Sequence, residues 1–488
     1  MKSKSERQPG PQSKKTKQPE KHLQKPPGKQ PDKQPRILKL SERIEAQTEA
    51  SFFAIANPGM EKLVRREIEE ILQGRELIET VGGVQFQARV ESVYRGQPRL
   101  KTVNRLLLRI DQFGVRDFQK LFRKIKGLPW KSWLKPGVGL RARASSHASR
   151  LKIKKGIERT ILDAFSEVVK AKPQTELLVL ARVEDDICTL SLDLSGELLH
   201  KRGDREEVGV APLRETWAAG MLTRAWEIVT SDKELREKFS RSWHWIEPMA
   251  GTAVFAREAL KGREDLSADA NGTSELGRTL GRTFAMEECL NIEGLKSQAM
   301  VNKAATEQAS EHQSEHQSDT RWSPLTSLKR LSILDRDSAQ LKKAQGGVEQ
   351  MLATSRASRP LTHASTKFNE ELQTEFLVSD LKLSRLNLTE DQARLVILNP
   401  PWGVRLKSED AASSFERQAR LLQDIQTQFQ PTLVAVILPE IQVKPGPGGG
   451  AKALTTPAGW KEHEGFSFRA GGIPVKARFF SVGSVRTR

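Results

Sequence analysis

Apolar positions in this chain follow two rhythms. Ser51-Phe-Phe-Ala-Ile-Ala56 is a short apolar run, and Gly82-Gly-Val-Gln-Phe-Gln-Ala88 alternates, so both predict strands. Between them Asn57-Pro-Gly59 turns the chain, and apolar residues at 60, 63, 64, 68, 71 and 72 have helical spacing. A helix from Val90 and a strand at Arg105 to Ile110 complete a βαββ-type unit, which predicts a ferredoxin-like α+β module over 49–113. A second α+β region follows over 114–200. Phe118, Leu121, Phe122, Ile125 and Leu128 share one helical face, with Lys120, Arg123, Lys124 and Lys126 around it. A strand at Gly139 to Ala144 leads through Ser145–Gly156 into a helix reaching Val169, and strands at 177–183 and 187–194 close the region.

From 205 to 488 strands and helices alternate, as in an α/β sheet. Pro212 starts a helix that has Glu215 in its first turn. Strands are predicted at Trp245–Glu247, Leu331–Asp337, Thr374–Asp380, Leu395–Leu398 and Thr432–Leu438, with a helix at Ser414–Phe429. Two more strands near 466–469 and 475–481 form a terminal pair. Residues 296–326 are rich in Gln, Ser, His and Glu, with Glu-His-Gln-Ser repeated at 311–318, which predicts a flexible insertion. His312 and His316 stand four apart, but no metal is expected there.

Charge changes this picture in one direction. The 488 residues carry a formal +19, which favours an anionic partner, and nucleic acid is the commonest soluble one. About half of the excess sits in a Lys-, Gln- and Pro-rich tail over 1–48, too poor in apolar residues to offset its ordering entropy. Arg143, Arg150, Lys152, Lys154 and Lys155 surround the predicted strand-turn-helix and are candidates for RNA phosphates and 2′-hydroxyls. Cys188 and Cys289 support neither a disulfide framework nor a zinc site. With no apolar run near 18 residues and no secretory pattern, a cytoplasmic protein with no membrane partner is expected.

The candidate chemistry lies at Leu395-Val-Ile-Leu-Asn399-Pro400-Pro401-Trp402-Gly403. Neither proline has an N–H, and the first restricts Asn399, so the strand must end in a stiff extended turn. The Asn399 side-chain oxygen and the Pro400 carbonyl can then both accept hydrogen bonds from one exocyclic amino group. Trp402 offers a face for a nucleobase.

Asn-Pro-Pro-aromatic after a strand resembles motif IV of S-adenosylmethionine-dependent methyltransferases that act on exocyclic amines. The longer string to Leu406 resembles THUMP-domain RNA guanine-N2 methyltransferases of the large-subunit ribosomal RNA type. The resemblance spans roughly 51–488. It implies a THUMP RNA-binding domain at 114–200 and a Rossmann-like class I methyltransferase domain at 205–488.

It also implies S-adenosylmethionine as cofactor, held by Pro212, Glu247, Pro248, Gly251, Asp335 and Asp380. In this reading Asp335 or Asp337 accepts the ribose hydroxyls, either being alternatively a helix N-cap, and Asp380 receives the adenine amine. The chain departs from the family at the glycine-rich loop. Glu247 stands for an aspartate, Ala250 for a cysteine, Ala253 for the second glycine and Val254 for a threonine. The Ala253 methyl would crowd a cofactor if it pointed at one. The expectation is methyl transfer to an exocyclic amine of RNA, most specifically guanine N2. The alternative is a non-catalytic RNA-binding or ribosome-assembly protein with a degenerate fold.

Overall fold

The computed structural model describes residues 49–170, 173–199, 213–264, 289–290, 325, 327–357, 372–381, 386–401, 411–441, 454–470 and 472–483. The expected basic tail, most of the expected insertion, Pro212 and Trp402 lie outside these residues.

The first unit runs β1 (Glu49–Ile55), α1 (Glu61–Leu72), β2 (Arg75–Thr80), β3 (Gly83–Arg89), α2 (Val90–Gly96), β4 (Arg105–Gly114). Its strands lie antiparallel in the order β2-β3-β1-β4, the ferredoxin-like arrangement expected from the sequence. Helix α1 buries Leu63, Val64, Ile68, Ile71 and Leu72 along one face, as their spacing dictates. Strand β2 escapes a pattern reading because it is an edge strand with no fully buried residue, so it has no apolar face to betray it.

Strand β4 is shared. One edge pairs with β1 over Arg105–Leu108, and the other pairs with a later strand over Leu107–Gly114. The elements that follow are α3 (Phe118–Lys126), α4 (Trp130–Trp133), β5 (Val138–His147), α5 (Lys154–Val168), β6 (Thr175–Glu184) and β7 (Ile187–Asp193). Together they extend the sheet to β2-β3-β1-β4-β7-β6-β5, with β5 and β6 parallel. Asp185 and Asp186, both left-handed at φ 50° and 61°, close the β6–β7 hairpin. A two-residue turn needs two positive φ values if its twist is to match the strands.

The second unit contains α6 (Glu215–Ser231), α7 (Lys233–Ser240), β8 (Trp243–Pro248), α8 (Val254–Glu264), β9 (Leu328–Asp335), α9 (Ser338–Ala357), β10 (Gln373–Val378), β11 (Ala393–Leu398), α10 (Ala411–Phe429), β12 (Leu433–Pro439), β13 (Trp460–Ala470) and β14 (Ile473–Val482). Its sheet runs β10-β9-β8-β11-β12-β14-β13. The strands from β10 to β12 in that order are parallel, and the β13–β14 hairpin adds antiparallel strands, as the terminal pair predicted. Leu395 and Ile397 face one buried cluster while Val396 and Leu398 face another, so both sides of β11 are covered. Strands of that kind read as continuous apolar runs.

Among the contacts that join the units are two clusters. Met60 and Leu63 pack with Leu213, Trp217, Phe466 and Phe468, and the Asn57 amide donates to Thr216 Oγ1 at 3.1 Å inside the same junction. Gly59 has φ 94° and lies so close to the Ser467 carbonyl of β13 that any Cβ would collide with it. The second contact involves Leu290, which is buried in the amino-terminal core and bridges to Leu134, while Lys135 N–H donates to the Cys289 carbonyl at 3.0 Å. Among the described residues no helix is long and apolar enough to cross a membrane.

Candidate active site

Strand order reverses between the parallel neighbours β8 and β11: after β8 the chain goes on to β9 and β10 on one side, and after β11 to β12 on the other. Crevices at such a switch point, beyond the carboxyl ends of the strands, are where open α/β sheets place ligands. Val396 of β11 lies opposite Ile246 of β8, so the two strand ends, Leu398 and Pro248, finish abreast. Asn399 therefore emerges beside the loop after β8. Its side-chain oxygen is buried and has no hydrogen-bond partner. Pro400 is buried and Pro401 exposed. A buried acceptor without a donor costs free energy on the order of 1–3 kcal/mol, and here the proline turn holds it in place.

The loop after β8 is tightly wound. Met249, Gly251 and Ala253 are left-handed at φ 59°, 55° and 52°. Only Gly251 is free of a steric penalty for that conformation. Ala250 N–H donates to the Leu334 carbonyl at 3.0 Å, Gly251 N–H to Asp335 Oδ2 at 2.8 Å, and Ala253 N–H to the Ala250 carbonyl at 2.9 Å. The space where Gly251 would carry a Cβ is empty to 4 Å. Ala253 is fully buried and belongs to the hydrophobic cluster of this unit, so the crowding anticipated from the sequence does not arise.

The three acidic candidates have different surroundings. Glu247 is 1% exposed. Its Oε2 accepts the Ala256 N–H at 2.9 Å, fastening the start of α8, and its Oε1 has no partner. Burial pushes its pKa up to about 8, against the opposing pull of the Ala256 and Phe255 amides. Asp335 is half-buried at the end of β9 and accepts from Gly251 and Asp337 backbone amides. Asp337 is the helix cap of the two alternatives, since its Oδ1 accepts from Ala339 and Gln340. Asp380 is exposed, two residues past the end of β10, and the Ser379 N–H donates to the Asp335 carbonyl at 3.0 Å. Pro248, buried, ends β8. Arg214, next to the undescribed Pro212, lies over the Trp217 ring at 5.2 Å.

Below this edge a polar chain crosses the sheet. His244 Nε2 lies 2.7 Å from Ser332 Oγ, which donates to Glu375 Oε2 at 2.9 Å. Burial, then the charges of Arg330 and Arg394, hold His244 down to about 3. Sequence reading did not mark it, because one histidine in an apolar run has no distinguishing pattern.

The basic candidates divide. Lys152, Lys154 and Lys155 are exposed around the start of α5 and have no ion-pair partner among the described residues, and Arg143 is exposed on β5. Arg150 instead shares Asp186 with Arg116, at 3.8 and 3.3 Å. Asp186 also accepts from Ser149 Oγ and the Arg150 N–H, so the β6–β7 hairpin clamps the turn that displays the lysines. Those bonds hold the Asp186 carboxyl below its usual range. The sequence reading missed Asp186, whose only signal is an Asp-Asp pair between strands. Among the described residues there is no group of three or more His, Cys, Asp or Glu placed to hold a metal ion.

Comparison with known proteins agrees with this organisation. Residues 51–107 match the RlmL ferredoxin-like domain and residues 115–193 match the THUMP domain. The chain is similar to ribosomal RNA large subunit methyltransferase K/L of Cellvibrio japonicus, 32% identical over 251 residues, or 49% of this chain and 31% of the relative. The protein of the same name from Methylococcus capsulatus is 32% identical over 218 residues, covering 42% of this chain and 28% of the relative. The chain thus matches less than a third of the length of these relatives.

Among solved structures, a possible methylase from Clostridium difficile 630 covers 90% of this chain and 100% of its own, with TM-score 0.56 at 19% identity. SMU.472, solved in complex with SAH, covers 90% and 100%, with TM-score 0.57 at 18% identity. TrmN from Thermus thermophilus covers 89% and 99%, with TM-score 0.53 at 14% identity. The fold is therefore a ferredoxin-like and THUMP α+β assembly followed by a sheet with the fold of these methylases, and the fold that the resemblance implies is borne out.

Proposed function

We propose that this protein transfers a methyl group from S-adenosylmethionine to an exocyclic amine of an RNA base, most specifically guanine N2 in large-subunit ribosomal RNA. The observation that carries the proposal is the buried Asn399 oxygen, left without a donor beside the loop after β8. The name shared by the curated relatives supports ribosomal RNA as substrate, and SAH in a similar fold supports the donor. In this reading 49–113 and 114–200 hold the RNA, and 205–488 carries the transfer.

The residues present fit the donor. The open space at Gly251 admits a ligand close to the backbone, and Asp335 and Asp380 offer carboxylates at neighbouring strand ends. Glu247, buried against α8, serves by anchoring the loop, and Pro248 borders it. When bound, S-adenosylmethionine supplies a methyl already activated by a positive sulfur. The protein's task is positioning. The target base leaves its stack, and Trp402 clamps the ring. Asn399 Oδ1 and the Pro400 carbonyl accept the two amine hydrogens and turn the nitrogen lone pair toward the methyl. Asn399 and Pro400 would hold the amine in that orientation through transfer, and the surplus amine proton would pass to solvent. The steric argument for a degenerate relic fails, because Ala253 packs into the core.

The test is incubation of the full chain with labelled S-adenosylmethionine and unmodified large-subunit ribosomal RNA, followed by nucleoside analysis, alongside calorimetry with S-adenosylmethionine and S-adenosylhomocysteine. N2-methylguanosine with saturable binding of both ligands is expected. RNA binding with no affinity for either ligand would overturn the proposal.

A further inference from the structure

The surface around α3 and α5 has a feature that cationic candidates alone do not explain. Phe118 opens α3 with 37% of its surface exposed, and Ile153 precedes α5 with 65% exposed. They meet over Gly156, where a Cβ would lie 2.9 Å from Phe118 Cζ and 3.5 Å from Ile153 Cγ2. The glycine lets ring and branch close into one apolar spot. Neither residue belongs to a buried cluster: Leu121 and Ile125, on the inner face of α3, are fully buried, whereas Phe118 is turned to water.

Cationic charge predominates around the spot. Lys152, Lys154 and Lys155 are exposed without ion pairs among the described residues. The neighbouring carboxylates are already engaged. Asp117 caps α3 through the Lys120 N–H, Glu158 accepts the Ala144 N–H, Asp163 pairs with Arg159, and Glu167 pairs with Lys126. An apolar partner alone would leave three ammonium groups unanswered. An anionic partner alone would leave a flat ring in water.

We infer that Phe118 and Ile153 form a platform on which one unpaired RNA base stacks, while Lys152, Lys154 and Lys155 hold the phosphates on either side. The inference rests on the RNA reading above and deepens it, because a stacked base must come from a single-stranded loop or end rather than from duplex. It divides the labour on this surface: the lysines supply salt-dependent attraction, and the ring supplies a contact that salt does not screen.

The experiment measures binding of the full chain to a short single-stranded RNA and to a duplex of the same sequence, across a salt series. Phe118→Ala is expected to weaken single-strand binding about 5- to 150-fold, the range of one base–aromatic stack, with an unchanged salt slope. Phe118→Trp, which keeps a ring, should restore it, and duplex binding should change little. An RNA carrying 2-aminopurine at successive positions should show quenching at one position that is lost in Phe118→Ala. Equal affinities for parent and Phe118→Ala, with the lysines still required, would overturn the platform but leave the RNA reading intact. Failure of the parent chain to bind any RNA would overturn both. Ring-dependent binding of polyglutamate as tight as that of RNA would assign the surface to an acidic protein instead.

Discussion

The two seven-stranded sheets differ in where their polar groups collect. In the amino-terminal sheet Asp186 gathers Arg116 and Arg150 at the surface, Arg105 pairs with the buried Asp193, and the Nε of the buried Arg109 has no partner. In the carboxyl-terminal sheet buried polar atoms without partners lie on or beside two adjacent strands. His244 Nδ1 and Glu247 Oε1 lie along β8, and Asn399 Oδ1 lies just past β11. The same edge holds two non-glycine left-handed residues, Met249 and Ala253. At the β8–β11 edge left-handed backbone and unmet hydrogen bonds coincide, whereas exposed cationic charge lies around the start of α5.

The contrast breaks most sharply at Asn399. Asn399→Ala should lower methyl transfer by about a hundredfold or more, the loss expected for one pre-organised hydrogen bond, while RNA affinity stays at the parental value. Parental transfer rates in the variant would remove Asn399 from the chemistry. The converse change is Lys152→Glu, Lys154→Glu and Lys155→Glu together. It should weaken RNA binding about ten- to a hundredfold at low salt and flatten the log–log salt slope by about 2, with transfer at saturating RNA little affected. An unaltered slope in the folded variant would place the RNA elsewhere.

Glu247 sharpens the comparison through pH. Its folded pKa is raised from 4.5 to about 8, so the folded state holds a proton that the unfolded state has released. Stability from this group is complete below pH 4.5 and is lost as pH rises through about 8. Glu247→Gln should therefore gain melting temperature relative to the parent above pH 8 and show little gain below pH 4.5. His244 works in the other direction. Lowered from 6.5 to about 3, it contributes fully above 6.5, and that contribution is lost as pH falls through about 3. A melting difference that does not vary with pH would mean that Glu247 is charged in the folded state.

The smallest effect is at Ala253. Gly there relieves a left-handed alanine but removes a buried methyl, so the two terms nearly cancel and stability should shift by less than about 1 kcal/mol. Ala259→Gly, buried inside α8, has no strain to relieve and should cost about 2 kcal/mol in denaturant unfolding. Equal losses at both sites would mean that the Ala253 conformation stores no strain.

Much of this organisation is legible in the residues. The Asn-Pro-Pro turn announces itself because proline constrains the backbone locally, and β11 because its apolar run is uninterrupted. The direction of the Ala253 methyl is not legible, since φ at a loop residue depends on contacts made across the sheet. The junction through Asn57 and Thr216 escapes notice for a similar reason: these residues lie far apart in sequence and carry no shared pattern. The platform at Phe118 is half legible. Helical spacing assigns it to the apolar face, and only the structure shows it turned outward at the end of that face.

The Leu134–Leu290 bridge bears on how the chain is made. Synthesis runs from the amino terminus, and the last strand of the first sheet, β7, ends at Asp193. Leu290, a buried member of that sheet's core, leaves the ribosome roughly a hundred residues later, about 5–20 s afterwards at ordinary elongation rates. Until then Leu134 lacks its bridge partner. The amino-terminal half can pair its strands early, but it completes its interior only after the first strand and helix of the second sheet have also been translated.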